Sequence, residues 1–345
     1  MVRSGPPGIK RDKAVKMVSK LEARIKRARQ ENDPQLQQRL CKAFADSDNS
    51  DDPRNKDPKE WMRRMIFARL MRGDYSDWTG WEFRNDWATS SYNKDLTAKR
   101  WRLEKVNSLA ILGEQGIGDE IMYASCIPDV VKLGIKEIVV ECDPRLVNVF
   151  ERSFGVKAIP RSDIVDRKSL KYLSLPREQE KFIPIGDLPR LFRKRLSDFP
   201  RAPFLRPLPE KVEAWSALKG RTGVAWRSRT SQYKPGDFGV KEPVCVQYEA
   251  WPYEVEGMEV PGCDLRNDIE DLLGIAANLE RVVSVPQTIV HIAGSVGCHV
   301  DVVMAAVGSS RVANQVPFRY SSPMPWYSSV EVHPSLYAWQ TRKDR

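Results

Sequence analysis

Between residues 107 and 307, short apolar runs alternate with amphipathic stretches, and they do so in two successive series. The first series reads as strand 107–112, helix 120–133, strand 137–141, helix 144–154 and strand 156–159. The second reads as strand 222–226, strand 258–260, helix 269–277, strand 281–285, helix 288–296 and strand 301–307. Strands alternating with helices at this pitch pair in parallel through right-handed crossovers, so each series is expected to form an open sheet with helices on its faces. The Pro-rich run FPRAPFLRPLPE ends the first series and puts a linker near 207–215. The expected class is therefore α/β, with two Rossmann-like domains facing a cleft, over 105–210 and 211–345, behind a helical region at 1–104. Ligands of such sheets bind beyond the carboxyl ends of the strands, so the loops after Leu112, Trp226 and Val285 are expected to meet in that cleft.

The region ahead of the first sheet has a different texture. Ala14, Val18, Leu21 and Ile25 recur at helical spacing within 10–29, with basic residues on the other faces. A second short helix is expected at 35–44, and ADSDNSDDPRNKDP after it has the composition of a linker. Residues 1–30 carry ten Lys or Arg against two Asp or Glu, a large share of the net charge of +10. Such an excess, which includes Lys10, Arg11 and Lys13, attracts polyanions or simply solvates a helix face. Five tryptophans follow, Trp61, Trp78, Trp81, Trp87 and Trp101. Their size favours anchoring a helical pair on a neighbouring domain over stacking with single-stranded nucleic acid.

Several classes fall away on composition. No apolar run approaches the roughly 20 residues of a spanning helix, and MVRSGPPGIKRDK lacks the apolar centre of a signal peptide, so a cytoplasmic protein without a membrane span is expected. The six cysteines form no CxxC pair, and His291, His299 and His333 are too few and too dispersed to imply a metal centre. No metal ligand and no cofactor is expected.

The stretch Gly113-Glu114-Gln115-Gly116-Ile117-Gly118-Asp119-Glu120 lies between a strand and a helix. Glycines allow a tight turn and close approach of a ligand, and amides at a helix start favour negative charge. Counting from Gly116, Ile121 stands where the dinucleotide fingerprint needs its third glycine, which argues against a dehydrogenase. The Gly-Lys-Ser/Thr of a phosphate loop is missing too, which argues against a nucleoside-triphosphate hydrolase.

GEQGIGDEIMYASCIPDV, followed by ECDPRLVNVFERSFGV, resembles the catalytic region of heptosyltransferase-like proteins, especially those in which a tetratricopeptide array precedes the transferase. The resemblance covers roughly residues 73–339, and the upstream LMRGDYSDWTGWEFRN looks like the last repeat helix of such proteins. It implies a GT-B fold and transfer of a sugar from a nucleotide-sugar co-substrate to an acceptor hydroxyl. The Gly-Asp that supplies the family's base matches Gly118-Asp119, which makes Asp119 the candidate catalytic base, with a helix-capping role as the alternative. Glu120 is the neighbouring acid, and helical geometry should turn it away from the cleft.

The resemblance extends to VSVPQTIVHIAGSVG at 283–297, which looks like the family's donor-binding strand, loop and helix, although this chain has Pro286-Gln287 where many members have Asp-Thr. Gln287, Thr288 and His291 are the donor candidates there, with packing as the alternative for His291. Gly116 and Gly118 join them from the first turn, and Arg227, Ser228 and Arg229 from GVAWRSRT, whose guanidinium groups could neutralise a leaving diphosphate without a metal. Pro325-Trp326-Tyr327 resembles a segment that closes the C-terminal domain.

The basic run around Arg193, Lys194 and Arg195, together with Lys10, Arg11 and Lys13, points to a polyanionic acceptor such as DNA carrying a hydroxylated base. A protein side chain or a polysaccharide is the competing acceptor. A non-catalytic binding protein of the same fold is the alternative to an enzyme.

Overall fold

The computed structural model describes residues 66, 70, 73–76, 78, 81, 100–114, 116–161, 178–228, 232–304 and 324–343. The expected basic helix at 10–29, the helix at 35–44, the linker after it, Trp61 and Trp87 lie outside the described residues.

The first sheet contains β1 (Ser108–Leu112), β2 (Glu137–Cys142), β3 (Lys157–Pro160) and β4 (Lys181–Pro184), in the order β3-β2-β1-β4. Each pairing is parallel. Its helices are α1 (Ile117–Ala124), α2 (Ile127–Val131), α3 (Val147–Phe154) and α4 (Leu188–Phe192). A short α5 (Pro209–Ala214) leads into the second sheet. That sheet holds β5 (Thr222–Ala225), β6 (Val244–Cys245), β7 (Arg281–Ser284), β8 (His299–Val303) and β9 (Val330–His333), in the order β6-β5-β7-β8-β9 and again parallel. Its helices are α6 (Ile269–Asn278), α7 (Thr288–Ser295) and α8 (Leu336–Lys343). Both strand orders reverse direction beside the first strand, which is the topological switch point where doubly wound sheets open a crevice. The α/β class and the two Rossmann-like domains facing a cleft are as expected from the sequence.

Several elements differ from expectation for local reasons. The helix expected at 120–133 is two, because Pro128 has no amide and its ring would strike the carbonyl of Ala124 in a continuous helix. The stretch 144–154 opens with a 3-10 turn, Pro144–Leu146, capped by the Asp143 carboxylate accepting from the Arg145 amide at 3.1 Å. The strand expected at 258–260 is only an isolated bridge from Glu259 to Val244.

An aromatic seam joins the parts. Trp78, Trp81 and Trp101 are buried. Trp78 Nε1 donates to the Arg193 carbonyl at 2.8 Å, and Trp81 Nε1 to the Gly186 carbonyl at 2.5 Å. Trp81 meets Tyr123 edge-on with centroids 6.4 Å apart, Tyr123 meets Trp326 at 5.7 Å, and Trp326 meets Phe199 at 5.0 Å. These three tryptophans therefore pack rather than offer stacking faces. The segment around Trp326 crosses from the second sheet to close against the first domain.

Candidate functional site

The turn after β1 is shaped by two glycines. A Cβ on Gly113 would lie 2.7 Å from Glu120 Oε1 and 2.8 Å from the Glu141 carbonyl, so only glycine fits there. A Cβ on Gly118 would lie 2.8 Å from the His291 ring, so this glycine lets α1 of the first domain press against α7 of the second. The two helices that follow the central strands thus meet directly.

The adjacent acids in the first turn of α1 take different surroundings. Asp119 keeps 9% of its surface exposed, and its Oδ2 lies 3.9 Å from where a Gly116 side chain would begin, near the exposed helix start. Glu120 is fully buried and turned under the turn, as helical geometry predicts. Its Oε1 pairs with Arg161 Nη1 at 2.6 Å and its Oε2 accepts from the Asp143 amide at 2.7 Å. Burial outweighs Arg161 and pushes the Glu120 carboxyl up to about 8. Glu141, also buried and with neither carboxylate oxygen hydrogen-bonded, is pushed up to about 7 by the same cause.

Facing this turn is a cleft of about 200 Å³. One wall is apolar, made by Val246, Leu265, Ile269, Leu272, Ile289 and Ile292, and Ile117 closes it from the first domain. Tyr248, Gln287 and Thr288 supply neutral polar groups, and Arg145 and Arg266 supply positive charge. Gln287 is the extended residue before α7, and its Nε2 reaches Gln247 Oε1 and Ser284 Oγ, each at 3.4 Å. Arg145 comes from the first domain, grips Asp143 at 2.8 and 2.9 Å, and donates across the cleft to the Arg266 carbonyl at 2.9 Å. Burial would raise the Asp143 carboxyl, but the bonds from Arg145 outweigh it and hold it below the usual carboxylate range.

The structure redistributes the residues singled out in the sequence. Gln287 and Thr288 line the cleft, whereas Gly116, Gly118 and Asp119 belong to the start of α1, whose Ile117 is its contribution to the lining. His291 is buried, shares a hydrogen bond of 3.0 Å with the Tyr327 hydroxyl and fills the space over Gly118, so it belongs to the seam between domains. Arg227 does not reach over the cleft. Its Nη1 pairs with Glu254 Oε1 at 3.1 Å and its Nη2 donates to the Glu249 carbonyl at 2.7 Å, within its own domain. Ser228 is partly buried beside it, and Arg229 lies outside the described residues.

Arg193 is corrected as well. It is 2% exposed, pairs with Asp129 at 2.8 Å, donates to the Ser125 carbonyl at 2.8 Å and sits over the Phe199 ring. A buried, paired guanidinium is a structural cation and offers nothing to a polyanion. Lys194 and Arg195 are exposed, with Arg195 3.8 Å from Asp198, and Lys10, Arg11 and Lys13 lie outside the described residues.

Sequence reasoning missed Arg145, Arg266 and Tyr248. For Arg145 a signal existed, since Asp143-Pro144-Arg145 follows a strand and is a turn that fixes its own charge pair.

No family model matches the chain. Protein FlbA of Caulobacter vibrioides is 26% identical in an alignment that covers 79% of this chain and 52% of that protein. The chain thus spans about half the length of that curated relative. Among solved structures, a glycosyl transferase family 9 protein from Veillonella parvula superposes with a TM-score of 0.45 at 12% identity, covering 67% of this chain and 88% of that one. The E. coli ADP-heptose lps heptosyltransferase II gives 0.46 at 10% identity, covering 69% and 97%. Among the described residues, no helix is long and apolar enough to cross a membrane.

Proposed function

We propose that the chain is a glycosyltransferase that moves a sugar from a nucleotide-sugar donor to an acceptor hydroxyl. One observation carries the reading: the acid-bearing first turn of α1 and the start of α7 come from different sheets and flank one cleft, half apolar and half polar. The donor's nucleoside packs on the wall of Val246, Leu265 and Ile269. Its diphosphate sits at the first amides of α7 with Gln287 and Thr288, and with Arg145 and Arg266 within reach. In the chemical step the acceptor oxygen attacks the anomeric carbon while Asp119 takes its proton. The bond from that carbon to the diphosphate oxygen breaks, and its electron pair leaves with the nucleoside diphosphate. The guanidinium groups and helix amides offset the charge that develops there, a route that needs no metal. Residues 105–210 then form the acceptor domain and 211–345 the donor domain.

The acceptor is a hydroxyl whose carrier the site does not name. A hydroxylated base in DNA finds support in the exposed Lys194 and Arg195 and in the basic residues of 1–30, without Arg193. A protein side chain or a polysaccharide is tested beside it.

The test is a panel of nucleotide sugars screened by thermal stabilisation of the wild type and of Thr288→Val with Gln287→Ala. A true donor raises the melting midpoint of the wild type by mass action and less so that of the double variant. A panel that shifts neither protein, or shifts both equally, would remove the donor site from this cleft.

A further inference from the structure

We propose a second site, for one divalent transition-metal cation, on the face of the second sheet opposite α7, held by Asp301, His333 and Glu331 with His299 beside them. The parallel register assembles it. Asp301 on β8 pairs with Glu331 on β9, and Val303 with His333, so the three side chains share a face with His299 and, one strand away, Arg281. One ligand atom from each of Asp301, Glu331 and His333 can be chosen so that all lie within 4.8 Å of one another. An ion bound at about 2.0–2.2 Å to each needs only a small inward turn, which the exposed Glu331 can make.

The surroundings are unusual for the middle of a sheet. Asp301 and His333 are both 3% exposed, on a face that otherwise packs Val283, Val303 and Trp339. His333 Nε2 and Asp301 Oδ1 are 2.7 Å apart. The second oxygen, Asp301 Oδ2, is buried with no hydrogen-bond partner, although Arg281 Nε is 3.4 Å away and His299 Nε2 is 3.7 Å away. A buried carboxylate oxygen beside a guanidinium and an imidazole, with a hydrogen bond from neither, is an unfilled acceptor. Imidazole and carboxylate together suit Zn²⁺ above Mg²⁺ or Ca²⁺, and exposed Glu331 gives the ion a way in. On binding, the ion takes the place of the hydrogen bond between His333 Nε2 and Asp301 Oδ1, and the imidazole carries its proton on Nδ1 instead. The site lies away from the cleft and joins β8 to β9, the strand that follows the Trp326 seam. Its role is a staple for the C-terminal strand, not a part of catalysis.

Titration of the full chain with Zn²⁺ alone, after treatment with chelator, tests this. The wild type should bind one equivalent, with a higher melting midpoint that chelator reverses. Asp301→Asn and His333→Gln should each weaken that equivalent at least tenfold, and the milder His299→Gln should weaken it less. Arg281→Gln, which removes a competing cation, should strengthen it, a change that a purely structural ion pair would not produce. Absence of a stoichiometric equivalent in the wild type overturns the proposal. So does an equivalent that survives unchanged in Asp301→Asn and His333→Gln, since the groups holding it would then lie elsewhere.

Discussion

Helices α1 and α7 invite comparison. Each has eight residues, follows a central strand, begins in a tight turn and packs against the other through Gly118 and His291. They differ in the charge of the first turn. α1 carries Asp119 and Glu120 there, while α7 has no acid in its first turn. An acid in the first turn occupies a helix's positive end with the protein's own charge, whereas the start of α7 leaves its amides for an anion from outside. One scaffold, used twice, therefore presents an acid-bearing first turn on one side and a first turn without acids on the other.

The largest expected effect comes from disturbing the contact between the two helices. Gly118→Val places a branched side chain where even one carbon meets the His291 ring. It should destabilise the fold by about 1–3 kcal/mol, read from denaturant midpoints, and lower donor affinity with it. Tyr327→Phe, which removes the hydroxyl that shares a hydrogen bond with His291, should cost about 1 kcal/mol and leave the seam closed. If Gly118→Val is as stable as the wild type, the helices do not meet as described.

A donor-side change should separate the two walls. Thr288→Val should weaken donor binding by about tenfold, the scale of one hydrogen bond to a charged group, without changing stability. Calorimetry with the donor found by the panel checks this, and an unchanged affinity would shift the phosphate site off α7.

A smaller effect sharpens the contrast on the α1 side through pH. The Glu141 carboxyl stands at about 7 in the fold against about 4.3 in an unfolded chain, because burial disfavours its charge. A raised carboxyl stabilises fully below the unfolded value and loses that contribution as pH climbs through the folded one. Glu120, raised to about 8, acts in the same direction. The melting midpoint should therefore fall between about pH 5 and pH 8, and Glu141→Gln should flatten part of that fall. An equally steep fall in Glu141→Gln would show that this carboxyl is not the one titrating.

The smallest effect concerns the outer bridge. Arg152 on α3 pairs with Glu270 on α6 at 2.6 Å, with both side chains near one-fifth exposed. Arg152→Met should cost about 1 kcal/mol or less, because solvent screens such a pair, and donor affinity should hold.

The same contrast shows what a sequence makes legible. β1, β2, β5 and β7 announced themselves because parallel strands buried on both faces read as continuous apolar runs. β4 and β9 have four residues each and take their identity from distant partners, such as the pairing of Val330 with Val300. The break before α2 was readable from Pro128 yet lost in an otherwise helical pattern. The turns that carry Asp119 and Thr288 were legible because a turn between strand and helix marks itself with glycines and polar residues. Arg193 was misread because the partner that buries it, Asp129, lies 64 residues earlier. Arg227 likewise looked free at a strand end until Glu254 came to meet it. The gathering of His333, Asp301 and Glu331 depends wholly on the register of β8 against β9, which no local spacing records.

The most direct test measures donor affinity and release of nucleoside diphosphate for the wild type and Asp119→Asn in parallel, with acceptor present. The division of labour between α1 and α7 predicts an unchanged dissociation constant and a release rate lower by about a hundredfold or more. Equal release from both proteins would contradict it.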